Sequence, residues 1–89
     1  MKSYIIGYDL NKSGQNYNSL IEQIKNLGVW CHCLDSTWII KSDSTAKEIR
    51  DYLKNFIDSN DELLIACLSG EAAWIGFSNV CSNWLKDNL

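Results

Sequence analysis

The residues of this chain best suited to chemistry gather at the end of its first apolar segment. Tyr4-Ile5-Ile6-Gly7-Tyr8 runs into a lone carboxylate, Asp9, and then into the polar run Asn11-Lys12-Ser13-Gly14-Gln15-Asn16. A carboxylate at a strand end can ligate a hard cation and help activate water. It can equally cap the following loop by accepting backbone N–H bonds. Asn11, Lys12, Gln15 and Asn16 offer polar contacts for a phosphate or a ribose, and Gly14 makes the turn permissive. The run has no phosphate-loop pattern, however, and a solvated loop is its bland alternative.

A second candidate group is aromatic. Trp30 and His32 alternate on one segment, with Trp38 on the next, so with Tyr8 they would make an aromatic and polar pocket. Tryptophan can stack on a nucleobase, but in a small domain it also serves as a core or interface anchor. His32 is the only histidine. It could act as an acid/base or hold a phosphate, or sit hydrogen-bonded on a half-exposed strand. No Ser/Cys–His–acid set can be read from the sequence.

The cysteines are Cys31, Cys33, Cys67 and Cys81. Cys31 and Cys33 share a strand face, and Cys67 reads as core filler in an apolar strand. A zinc site of Cys31, Cys33 and His32 has the wrong ligand spacing, and His32 points away from both thiols. The expectation is reduced thiols that do not staple the fold.

These residues need elements to hold them. A strand is expected over Ser3 to Asp9, with both faces largely apolar, as suits a central strand. A helix follows from Asn16, its cap, to Leu27, with Leu20, Ile21, Ile24 and Leu27 at helical spacing and Gly28 as the stop. Strands over Val29 to Leu34 and Ser36 to Lys41 are joined near Asp35 closely enough to pair as a hairpin. In the next segment Ile49, Tyr52, Leu53, Phe56 and Ile57 mark an amphipathic helix, opened by a Thr45/Glu48 capping box. Leu63 to Leu68 is the last apolar strand. Ala72 to Phe77 reads as an extra short strand or extended turn, and Asn79 to Leu89 as a C-terminal helix. The order β-α-β-β-α-β is the ferredoxin-like one, so the fold class is α+β.

Composition bounds the function. The 89 residues make one domain, with no proline and little glycine, so no linker is expected. No apolar run reaches the length of a membrane span, and no charged-then-apolar leader precedes the first strand, which predicts a cytoplasmic protein. Eleven acids against eight bases give a net charge of −3, with the bases scattered. That argues against duplex DNA as a partner.

The segment Tyr4-Ile5-Ile6-Gly7-Tyr8-Asp9-Leu10 is similar to the first strand of Cas2 proteins. Leu27-Gly28-Val29-Trp30 and Ser36-Thr37-Trp38 are similar to the hairpin of Cas2 and of the related VapD-type proteins. The chain also resembles small bacterial and phage-borne proteins labelled "SinR-like". The resemblance implies a ferredoxin-like homodimer in which the segment after the fourth strand pairs across the interface. It places Asp9 near the two-fold axis as a ligand of Mg2+ or Mn2+ in members that cut RNA or DNA. Ser36 joins Asn11, Lys12, Gln15, Trp30, His32 and Trp38 as candidate ligand-binding residues. The Gly28-to-Ser36 spacing is longer than the family's usual one, and the chain is acidic, which counts against a DNA-scaffold role. Two functions follow as expectations. One is a metal-dependent endoribonuclease with Asp9 as its catalytic and metal-binding residue. The other is a non-catalytic module that binds a nucleotide ligand or a protein partner in phage–host conflict.

Overall fold

The computed structural model describes residues 1–11 and 17–89. Its elements are β1 (Lys2–Asp9), α1 (Asn18–Asn26), β2 (Val29–Leu34), β3 (Thr37–Ser42), α2 (Ala46–Leu53), β4 (Glu62–Cys67) and α3 (Asn79–Asn88). The four strands form one sheet in the order β2-β3-β1-β4. Every neighbouring pair is antiparallel. Among the described residues no helix is long and apolar enough to cross a membrane.

Alternation along β1 sorts the sheet into two faces. Tyr4 and Ile6 stand opposite Ile40 and Trp38 in the β1/β3 ladder. These four pack with Leu20 and Ile24 of α1 and Ile49 and Leu53 of α2 into the core. The helical spacing of those apolar residues therefore turns one stripe of each helix onto the same sheet face. The capping box of α2 is present: Glu48 N–H donates to Thr45 Oγ1 (3.1 Å) and Thr45 N–H donates to Glu48 Oε1 (2.9 Å). The Thr45 backbone N–H first, then its side chain, hold the Glu48 carboxyl below its ordinary range. After Leu53 the helix tightens into a single 3₁₀ turn, Lys54–Phe56.

Helix α1 begins at Asn18 after Tyr17, and the expected cap Asn16 lies outside the described residues. The stop at Gly28 has a different physical basis from a left-handed cap. Among the described residues, Gly70 and Gly76 are the glycines with positive φ. At Gly28 a Cβ would lie 2.0 Å from the Lys41 carbonyl oxygen, so the chain turns into β2 where only a bare backbone fits. The atom in the way is backbone and cannot rotate aside. Gly28→Ala should therefore destabilise the protein by about 1–3 kcal/mol or more, as overpacking does. Unchanged urea midpoints would contradict this close approach.

The other sheet face carries α3. Ser3, which alternates with Tyr4, donates from Oγ to the Asn88 carbonyl at 2.9 Å. Cys33 at the far edge is joined to Cys81 in a disulfide, with Cα atoms 6.0 Å apart. Leu85 is buried between these two ties. The expectation of unlinked thiols is thus corrected for Cys33 and Cys81, while Cys31 and Cys67 are free. The pairing was hidden because it depends on where α3 lands, which no local pattern states. Cys67 is also exposed rather than core. It ends β4 at the sheet edge, opposite Tyr4.

Of the two readings of the segment after β4, the short strand is corrected. Ala72 to Phe77 holds no strand. Alanine is a poor strand former, and Gly70, before the segment, and Gly76, within it, turn the chain through positive φ. The segment is pinned instead by Trp74, whose Nε1–H donates to Ser82 Oγ on α3 at 3.1 Å. Its neighbour Ile75 is 94% exposed.

Candidate functional site at the end of the first strand

Asp9 ends β1 with Glu62, the first residue of β4, directly opposite it in the ladder. Residues paired in this way put both side chains on one face. Two exposed carboxylates therefore stand side by side at the mouth of a cleft of about 340 Å³. Gly7, Thr37, Ser36 and Leu64 also line the cleft. A Cβ at Gly7 would meet nothing within 4 Å, so the glycine contributes open volume to the floor rather than relieving a clash.

Among the described residues, Asp61 does loop-capping work beside Asp9. Its Oδ1 accepts from the Asn11 backbone N–H (2.7 Å) and the Tyr17 hydroxyl (2.9 Å), and its Oδ2 from the Asp58 N–H (2.7 Å). Asn11 donates through Nδ2 to the Asn60 carbonyl (2.8 Å) and to Glu62 Oε1 (3.1 Å). Asn11 thereby ties the chain after β1 to the turn before β4 and orients the Glu62 carboxylate. Among the described residues, none of these bonds takes up Asp9.

The aromatic group assembles on the opposite face at the same end of the sheet. Trp38 donates from Nε1 to the Tyr8 hydroxyl at 3.0 Å. The His32 ring lies flat on it, with centroids 3.8 Å apart and planes 9° from parallel. Trp30 also packs on Trp38, with ring centroids 5.2 Å apart, and Lys25 Nζ lies 5.2 Å from the Trp30 ring. His32 Nε2 is 3.0 Å from the Asp35 carbonyl. A carbonyl only accepts, so Nε2 carries the proton and Nδ1 is the basic nitrogen of the neutral ring. Trp38 itself is 1% exposed and belongs to the core. Contact with a ligand at this cluster falls to Trp30 and His32, which are exposed.

The expected site residues therefore divide. Asp9 and Ser36 share the cleft. Trp30, His32 and Trp38 form the aromatic cluster behind it, and Asn11 braces Glu62. Lys12 and Gln15 lie outside the described residues. Sequence reasoning missed Glu62, although its signal was present: in this strand order the start of β4 falls beside the end of β1. It also missed that Cys81 joins Cys31 and Cys33, whose sulfurs lie within 4.8 Å of one another. Burial pushes the Cys31 thiol up from its ordinary pKa.

No protein-family model matches this chain, and no solved structure is a significant match to it.

Proposed function

We propose that this chain is a Cas2/VapD-like, ferredoxin-like protein that works as a homodimer and binds RNA or a small nucleotide at the β1 end. Asp9 is the ligand of a Mg2+ or Mn2+ ion there and, in the catalytic reading, the key residue of an endoribonuclease. The observation that carries this is the Asp9–Glu62 pair, exposed at a cleft, with Glu62 held by Asn11 and the loop N–H groups of the described residues taken up by Asp61. The element order and the strand order β2-β3-β1-β4 support the ferredoxin-like reading. The exposed Leu64 and Ile75 support a second copy as cover.

One observation favours the non-catalytic module. Two carboxylates are a thin set for a hard cation that takes six or more oxygens. Among the described residues, the group of three metal-ligating side chains is made of cysteines, not acids. Further oxygens at Asp9 must come from water, substrate or the second copy, an arrangement that suits holding a nucleotide as well as cutting RNA.

Two variants separate the readings. Asp9→Asn keeps the shape and removes the anion. Gly7→Val adds a strand-favouring side chain into open cleft volume. In a single-stranded RNA assay with Mg2+ or Mn2+, Asp9→Asn should lower cleavage by more than about 100-fold, beyond the loss of an outer-shell partner. Gly7→Val should block it with the fold intact. A parent protein that does not cleave but co-purifies with a nucleotide, which Gly7→Val releases, makes the module reading the correct one. Undiminished cleavage by Asp9→Asn would remove Asp9 from the mechanism. Absence of both cleavage and nucleotide would overturn both.

A further inference from the structure

Among the described residues, the densest cluster of metal-ligating side chains lies away from the Asp9 cleft, between the sheet and α3. Its construction begins with a break in the β2/β3 ladder. Cys31 pairs with Ile39 and Leu34 with Thr37, so His32 and Cys33 together stand opposite Trp38. In a regular strand, residues two apart are separated by almost 7 Å. The bulge shortens that distance and re-aims the side chains. His32 goes to the aromatic cluster, and the Cys33 sulfur comes within 2.7 Å of the Cys31 sulfur.

The third sulfur comes from the other side. Cys81 is the third residue of α3, its backbone N–H held by the N-cap Ser78 Oγ at 3.2 Å. Its sulfur is 3.6 Å from that of Cys31. Two elements distant in sequence thus converge three sulfurs on one point, with Cys31 buried and Cys33 and Cys81 half-buried.

We infer that the reduced form of this protein binds one thiophilic, closed-shell cation of the Zn2+ type through Cys31, Cys33 and Cys81. The donor set selects the class: three thiolates suit Zn2+ or Cu+ and reject Mg2+ and Ca2+. The distances suit it as well. Zinc–sulfur bonds of about 2.3 Å in a tetrahedral shell put sulfurs about 3.8 Å apart. The Cys31–Cys81 separation of 3.6 Å is already close to that. Cys33 must swing out once its disulfide to Cys81 is opened. The chemistry balances with a dithiol as reductant. The dithiol gives two electrons and two protons, its own sulfurs join, and Cys33 and Cys81 become thiols. The cation then replaces the protons on the three sulfurs, which pass to solvent, and a water fills its fourth position.

The test uses Co2+ as the probe, added to the full chain held reduced by a phosphine under anaerobic conditions. One equivalent should produce intense thiolate-to-cobalt charge-transfer bands, and Zn2+ should abolish them by displacement. Cys33→Ser and Cys81→Ser should each weaken binding by more than about 100-fold, since they remove a direct ligand. Cys31→Ser should do the same, with circular dichroism to check that its buried site still folds. Cys67→Ser, outside the cluster, should bind like the parent. Absence of charge-transfer bands from the folded, reduced parent would overturn the site and leave a disulfide with a bystander thiol. So would bands that survive Cys33→Ser or Cys81→Ser, or that vanish with Cys67→Ser. None of these results bears on the Asp9 cleft, so the two assignments stand or fall separately.

Discussion

Trp38→Ala should remove about 3–5 kcal/mol of folding stability, the cost of deleting a buried aromatic ring and leaving a cavity. The ring is 1% exposed and joins strands to both helices through the core. Its loss would unseat the His32 ring stacked on it and leave the Tyr8 hydroxyl without its donor. Domains of this kind have about 5–15 kcal/mol in total, so the variant should be marginal or unfolded at room temperature. Trp38→Phe keeps most of the apolar contact and loses the Nε1–H. It should cost roughly 1–2 kcal/mol, near the net value of one buried hydrogen bond plus a small packing defect. Urea denaturation of both variants checks the order. Equal losses for the two would place the effect in the hydrogen bond, and a Trp38→Ala loss under about 1 kcal/mol would contradict a core role.

Reduction of the Cys33–Cys81 disulfide should have an effect of similar size. The bridge closes a sequence separation of 48 residues. By the chain-entropy argument that restricts the unfolded state by about 4 kcal/mol. Unfolding in urea with and without a phosphine reductant should show the midpoint fall on reduction. The dependence on urea should steepen, because the freed chain exposes more surface when it unfolds. Cys81→Ser should reproduce the reduced curve and then ignore the reductant. Superimposable curves for oxidised and reduced parent would contradict a stabilising bridge. A cation held by the reduced sulfurs would return part of the loss, since a ligand that binds the folded chain stabilises it by mass action.

Most of the elements were legible because they rest on local patterns. The Thr45/Glu48 capping box, the apolar stripe of Ile49 and Leu53, and the hairpin around Asp35 are each contained in a short window, and the structure carries them within a residue or two. What could not be read depends on relations between distant elements. The bulge that separates His32 from Cys33 arises from pairing with Trp38 and leaves no mark in composition. The seat of α3 on the second sheet face decides both the disulfide and the burial of Leu85. Its weak apolar side did not announce which surface it would cover.

The candidate site was legible to the same degree. Asp9 as a strand-end acid is a one-dimensional fact, and it falls where expected. That Asp61 takes the loop-capping work, and that Glu62 stands opposite Asp9, follow only from the β1/β4 register. Trp30 and His32 were grouped correctly with Trp38. Their packing against one another consumes the Trp38 face that a ligand would have needed.

The Asp9–Glu62 pair can be tested as a hard-cation site without any substrate. Mn2+ is paramagnetic and broadens the NMR signals of nuclei near it. Titrated at substoichiometric amounts into isotope-labelled protein, it should erase the amide signals of Tyr8, Asp9, Glu62 and Leu63 first. In Asp9→Asn those signals should persist while the rest of the spectrum is unchanged. Broadening that begins at other exposed acids, such as Asp43 or Asp51, or that is the same in Asp9→Asn, would contradict the assignment of the β1 end as the cation site.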